Sequence, residues 1–410
     1  MISPAPRDNW LWVAAFLAVF ALGVYLRVVS YESINGVGFD EQLYATYTDE
    51  VGQKGLLHYP EIVGAYIDDQ KDYPIAKLPP TRMTFILAAG AWHAMFGGAA
   101  VESVRAVSCA AAILLLLLSG FMAWRMKGKV FALAVLALMT PAPTQIYMSH
   151  RALIDGFFTL MTFLVLWGLW ELLQNSAGLI YWLLLYGAGL ALLVLTKENA
   201  AFVFGAVIGL LIINRWVRFG VVSRDLLIVT MAGPVVGLIL LVLGSGGFGP
   251  LFTVFSLNVS KSVITPYAIA TGDGPWFRYL SDLLLVNPLV LILAIGGAFL
   301  LDRTEKAGWF LLGFVLFSYF GMCNVTYGMN LRYANMWDFP LCFLALIPLF
   351  LWTRNIQKKR NRLMALSLSV VLVGCFELDN YLKIFVDHEV YDPIPAKLLQ
   401  ALDILKAQTE

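Results

Sequence analysis

Apolar blocks long enough to cross a lipid bilayer recur along most of this chain, and few folds can accommodate that pattern. Examples are Ala110 to Phe121, Tyr181 to Leu195 and Leu283 to Leu301. About 20 apolar residues carry a helix across roughly 30 Å of hydrocarbon. Lipid offers the backbone no hydrogen-bond partner, so helices must be the spanning element. With 60% hydrophobic and only 13% charged residues, the chain holds more apolar surface than a soluble core can hide. The first block, Asn9 to Val29, follows Arg7; it is long for a signal sequence and no small-residue cleavage site follows it, so it reads as a retained first span. Cys109, Cys323, Cys342 and Cys375 lie in or beside apolar segments without paired spacing. They read as small buried apolar residues rather than a disulfide framework or a zinc site.

Charge sets the expected topology. Basic residues gather in short connections at Arg125, Lys127 and Lys129, at Arg215, Arg218 and Arg224, at Arg303 and Lys306, and from Arg354 to Arg362. The positive-inside rule places all of these in the cytoplasm, which requires an even number of crossings between successive clusters. Spans are therefore expected at about 129–148, 157–174, 179–196, 199–214, 226–243, 279–301, 307–323, 336–352 and 363–379. Together with the first block and Val104 to Trp124 they make about eleven, with the N-terminus inside and the C-terminal tail outside. Arg82 to Gly97 is apolar but short, and a crossing there would move the Lys127 cluster to the wrong side. It is expected to be an interfacial helix within one large extracytoplasmic loop, 30–103, whose many acids and tyrosines suggest an ordered, functional segment.

Four constellations on that outer side carry the candidate chemistry. Phe39, Leu43, Tyr47 and Val51 recur at helical spacing, so Asp40 and Glu41 stand at the start of an amphipathic helix. There they act either as capping acids or as a proton acceptor or cation ligand. Ser149-His150-Arg151 and Asp155 crowd a tight turn, either as a surface pair with a capping acid or as a polar site. Lys197, after Thr196 and before Glu198, lies at membrane depth, where an ionisable residue is either functional or snorkelling. Arg332, before Tyr333, offers a planar fork suited to phosphate oxygens or an interfacial anchor. Carboxylates and isolated cations from distant turns suit a site that binds a phosphorylated lipid headgroup and also needs a base. A Walker loop, a dinucleotide-binding glycine motif and a soluble nucleotide-sugar domain are all absent from the sequence, so the donor must be membrane-borne.

In order and sidedness these motifs resemble the GT-C superfamily of membrane glycosyltransferases, specifically the branch of protein O-mannosyltransferases and lipid A aminoarabinose transferases. The likeness runs to about Trp352. It rests on Phe39-Asp40-Glu41 after the first span, on Lys77-Leu78-Pro79-Pro80 before a helix ending at Phe96-Gly97, on Asp155, on Thr196-Lys197, and on Arg332-Tyr333 followed by Pro340. Family members commonly read Lys-Pro-Pro, so the extra Leu78 is a departure, as is a tail of about thirty residues where many relatives carry a soluble domain.

The resemblance implies an all-α polytopic membrane protein with a GT-C-like bundle over 1–380 and a short amphipathic extracytoplasmic tail, 381–410. It implies an inverting transfer of a sugar from a polyprenyl- or dolichyl-phosphate donor to a lipid, glycan or protein hydroxyl, at the periplasmic face of a bacterial inner membrane. Asp40 is the expected base, with Glu41 and Asp155 as further catalytic or acceptor groups. Arg332, Lys197 and Arg151 would hold the donor phosphate, and His150, Tyr44, Lys77 and Tyr333 would line the substrate site. No cofactor is required, although Asp40, Glu41, Asp155 and His150 could ligate a divalent metal. The partners are the lipid-linked donor, membrane lipids and a lipid-linked glycan or protein acceptor, with no nucleic acid. Two alternatives stand beside this. A ligase or polymerase of preassembled glycans would need a wider cavity. A transporter or flippase would need broken helices in matched halves, whereas Pro141, Pro143 and Pro288 interrupt spans without a matched repeat.

Overall fold

The computed structural model describes residues 6–29, 37–175, 179–272, 274–325 and 328–387. Among them all regular structure is helical. In chain order the helices are α1 (Pro6–Val28), α2 (Phe39–Lys54), α3 (Tyr59–Asp72), α4 (Met83–Phe96), α5 (Ala100–Lys127), α6 (Lys129–Met139), α7 (Pro143–His150), α8 (Asp155–Leu173) and α9 (Leu179–Thr196). There follow α10 (Ala200–Val217), α11 (Arg224–Gly244), α12 (Phe248–Ser262), α13 (Pro266–Thr271), α14 (Arg278–Val286), α15 (Pro288–Phe299), α16 (Lys306–Met322), α17 (Asp338–Arg354) and α18 (Lys359–Tyr381). Among the described residues eight helices are long and apolar enough to cross a membrane, and the bent pair α6–α7 makes a ninth. The two remaining expected spans are covered by α14 together with the shorter apolar helix α15, and by the shorter apolar helix α16. The protein is therefore an integral, multi-pass membrane protein. α4 has 14 residues, about 21 Å of helix, which is short of a crossing.

Two expected spans are not continuous. The 129–148 segment is bent by 58° between α6 and α7, and 279–301 divides at Asn287-Pro288 into α14 and α15. Pro143 and Pro288 cannot donate to the preceding turn and disfavour helical geometry in the residue before them. Each break exposes backbone groups that lipid cannot satisfy, and in each case a charged side chain of the matching sign does so. At the end of α6, Arg27 donates to the Met139 and Thr140 carbonyls at 2.9 and 3.1 Å. At the start of α15, Glu377 accepts the Leu289 and Val290 N–H groups at 2.8 and 3.0 Å. Cation on carbonyls and anion on amides is the arrangement the helix dipole favours. Elsewhere the spans approach through small residues: a Cβ at Gly237 of α11 would lie 2.6 Å from the Ala191 carbonyl oxygen of α9, the close backbone contact on which helix pairs in lipid rely.

Ion pairs sort the loops to two ends of the bundle. At one end Arg125 meets Glu171, with contacts of 2.9 and 2.6 Å, and Lys127 meets Glu305, so two of the basic connections lie together. At the other end α2, α3 and α4 share their own apolar cluster around Tyr44, Tyr59, Val63 and Phe85. The face α2 buries is Tyr44, Tyr47, Thr48 and Val51. Phe39, expected on the apolar face, is 48% exposed because Glu41, not Phe39, turns inward at the first turn. The C-terminal tail beyond Asp387, including the expected amphipathic Leu398 to Leu405, lies outside the described residues.

Candidate active site

The entry to α2 puts its two acids into different environments. Glu41 turns back to accept the Gly38 backbone N–H at 2.7 Å, as the third residue of a capping box does. It also accepts the Ala152 N–H at 2.6 Å and the Arg151 guanidinium. Both side chains of that pair are fully buried. Successive helical residues diverge by about 100°, so Asp40 faces elsewhere. Its side chain remains 27% exposed, and Oδ2 accepts from Arg332 Nη2 at 3.0 Å. Glu41 and Arg151, expected at the catalytic and phosphate sites, thus meet each other in a buried joint between α2 and the α7–α8 turn.

From Arg332 a line of charges continues into the protein. Arg332 Nε lies 3.6 Å from Asp155 Oδ2, and Lys197 Nζ donates to Asp155 Oδ1 at 2.5 Å. The Lys197 ammonium also stands 3.7 Å from the centroid of the Tyr333 ring, a cation–π contact. Local structure aims each group. Asp155 is the first residue of α8 and Lys197 directly follows α9, so each charge complements the dipole of its helix end. Asn330 accepts the Arg332 backbone N–H at 3.0 Å, opening the tight helical turn Leu331–Trp337 that carries Arg332 and Tyr333.

A third cation reaches the site from the proline segment. Pro79 and Pro80 have no N–H, so residues 77–80 cannot form a ladder of their own. Their carbonyls are instead held by tyrosines of α2 and α3. Tyr66 donates to Lys77 at 3.0 Å, Tyr47 to Leu78 at 2.8 Å and Tyr59 to Pro80 at 2.6 Å. The chain leaves this clamp at Arg82, which donates to the Tyr44 hydroxyl at 2.7 Å and to Glu198 at 3.0 Å. Burial pushes the Tyr44 phenol well above its ordinary range, so it stays a neutral acceptor. Tyr44 is buried and positions Arg82. Lys77 lies elsewhere, 2.6 Å from Asp69 and 3.7 Å from the Tyr73 ring centroid. Arg82, rather than Lys77, thus stands beside Glu198; its signal was a cation on a side of the membrane where the charge rule disfavours one.

Arg82, Lys197 and Glu198 form the polar edge of a cavity of about 520 Å³. Its other walls are apolar, from Leu238 and Leu241 of α11 and Leu251, Phe252 and Phe255 of α12. Three carboxylates (Asp40, Asp155, Glu198) face three cations (Arg332, Lys197, Arg82). His150 is not among them; its Nε2 is 3.1 Å from the Leu26 carbonyl, in a separate cavity. Among the described residues no group of three or more His, Cys, Asp or Glu converges as a metal site. Asp40, Glu41, Asp155 and His150 are each drawn to a different partner, so they do not fit as a shared ligand set.

A sequence model of the dolichyl-phosphate-mannose-protein mannosyltransferase family matches residues 17–254, more than half of the chain and all of the site except Arg332 and Tyr333. The chain belongs to this family. Its class of activity is therefore glycosyl transfer. No curated protein sequence matches the chain of this family member. Among solved structures it is similar to ArnT from Cupriavidus metallidurans, at 14% identity and TM-score 0.51 over 91% of this chain and 74% of that one. It is also similar to the oligosaccharyltransferase from Archaeoglobus fulgidus, at 12% identity and TM-score 0.61 over 92% of this chain and 56% of that one. A further structure of that oligosaccharyltransferase, in complex with an inhibitory peptide and a dolichol-phosphate, has TM-score 0.61 at 12% identity over 91% of this chain and 56% of that one. The family member thus shares the GT-C membrane fold and spans just over half the length of the archaeal enzyme.

Proposed function

We propose that this mannosyltransferase-family protein moves a sugar from a polyprenyl- or dolichyl-phosphate donor to a hydroxyl of a lipid, glycan or protein acceptor outside the cytoplasm. One observation carries the reading: Lys197 belongs both to the line of charges ending at Asp40 and to the rim of the apolar cavity. A donor's lipid chain fits the apolar walls while its phosphate meets Lys197, Arg332 and Arg82. Asp40, more exposed than the buried Asp155, accepts the acceptor's proton as the new bond to the anomeric carbon forms. The bond from that carbon to the phosphate oxygen breaks with its electron pair leaving on the lipid phosphate, whose charge the cations hold. A single displacement of this kind inverts the anomeric centre. No step is routed through a metal, although an A. fulgidus oligosaccharyltransferase structure is a complex with Zn and sulfate. Transfer of a preassembled glycan is the competing reading. Purified protein given radiolabelled polyprenyl-phosphate monosaccharides and a membrane extract should pass label to an acceptor; label moving only from oligosaccharide donors would select the competitor.

Donor binding supplies a second test. Arg332→Lys keeps the charge but loses the fork, so donor affinity should fall by about tenfold while expression is retained. Lys197→Ala should weaken it further, and unchanged affinity in both Lys197→Ala and Arg332→Ala would defeat the phosphate assignment.

The sidedness of the site, facing the periplasm of a bacterial inner membrane, rests on the basic loops gathered at the opposite end. In a variant lacking native cysteines, Leu57→Cys in the exposed α2–α3 turn should react with an impermeant thiol reagent in intact cells. Arg303→Cys should react only after permeabilisation. The reverse pattern would invert the topology.

A further inference from the structure

A second cavity at the same end, about 540 Å³, is walled by Arg27, Glu102, Arg105, Cys109, Ser149 and His150. It forms where the last turn of α1, the first turns of α5 and the end of α7 meet. Its polar groups are unusual for a site buried among membrane helices. Arg105 has Nε and Nη2 buried without a hydrogen-bond partner, and Arg27 Nε is in the same condition. The Arg27 terminal nitrogens are already committed to the Gly23, Met139 and Thr140 carbonyls. Both guanidiniums lie within electrostatic reach of the His150 ring. Glu102 is exposed at the rim, and among the described residues no ion pair joins it to Arg105. Buried guanidinium N–H groups without acceptors are costly, and a planar fork is matched by the oxygens of a carboxylate or phosphate.

We infer that this cavity is a second anion site, built for a phosphate or carboxylate group and read chiefly by Arg105. Its place in the fold gives it a use. His150, in its wall, is followed by Arg151, the buried partner of Glu41, so the cavity adjoins the joint that holds the start of α2. An anionic acceptor held by Arg105 is a use that this cavity, distinct from the donor cavity, would serve. This use rests on the glycosyl-transfer reading above, whereas the anion site itself does not. The same chemistry can be supplied by the headgroup of an anionic bilayer lipid.

The test uses the purified full chain in phosphatidylcholine nanodiscs, with inorganic pyrophosphate as probe. The wild type should show two saturable sites. In Arg105→Gln one should weaken by about tenfold or more, the scale of a lost charge-assisted contact, and Arg105→Lys should recover part of it. Polyprenyl-phosphate affinity should be unchanged in Arg105→Gln, which also reports an intact fold. Wild-type pyrophosphate binding at both sites in Arg105→Gln would overturn the inference. Repeating the titration with phosphatidylglycerol in the nanodisc separates the sources: displacement from the Arg105 site assigns a lipid headgroup, and retention assigns the acceptor. If instead polyprenyl-phosphate affinity is unchanged in both Lys197→Ala and Arg332→Ala, the donor reading fails while the Arg105 result stands.

Discussion

Asp40→Asn should lower turnover by about two to four orders of magnitude, the range spanned by loss of one general base, while donor affinity holds or rises. The second half of that expectation comes from geometry. Asp40 accepts from Arg332 at 3.0 Å, so the carboxylate competes with the donor phosphate for the same guanidinium, and neutralising it removes the competitor. Size and much of the hydrogen bonding survive in the amide; basicity does not. Turnover and donor affinity measured on the same preparation decide the matter. Near-wild-type turnover would remove Asp40 from the base role and shift attention to Asp155, which is buried and held by Lys197.

The neighbouring acid should behave in the opposite way. Glu41→Gln removes the carboxylate that Arg151 meets in the protein interior, and breaking one side of a fully buried pair costs about 3–5 kcal/mol. The expected result is a marked fall in thermal stability in detergent. Arg151→Met should do the same, and the double variant Glu41→Gln/Arg151→Met should recover much of the loss, because both charges of the pair are then gone. Turnover per folded molecule in Glu41→Gln should fall less than in Asp40→Asn. If Glu41→Gln melts like the wild type yet loses turnover as Asp40→Asn does, Glu41 takes part in the chemistry and the joint described above is secondary.

The contrast between these residues also marks what was legible in the sequence. The spans could be read because apolar length and basic loops are local properties, and the Lys127–Glu305 pair joins two connections that the charge rule had put together. Asp155, Lys197 and Arg332 stood out because each breaks a local rule, an acid opening an apolar helix or a cation on the disfavoured side, and the fold brings all three to Asp40. Glu41 and Arg151 broke rules of the same kind, but their partners lie 110 residues apart, and nothing in either segment names the other. Arg82 was hidden for a different reason. Its direction is set by the tyrosine hydroxyls on residues 77–80, a tertiary clamp that spacing alone does not encode. The prolines that break two spans were visible, but not the side chains that make those breaks tolerable.

Those two side chains have a consequence for the order in which the protein is made. A chain emerges from its N-terminus, so Arg27 of α1 is already in place when α6 and its exposed carbonyls arrive. Glu377 belongs to α18, far downstream of the amides it accepts on α15. Until α18 enters, the broken end of α15 has no carboxylate to receive its N–H groups, and hydrocarbon cannot hold it bare. The first half of the bundle can therefore settle as it is synthesised. The α14–α15 segment must wait, near water or a chaperoning surface, until α18 arrives to lock it.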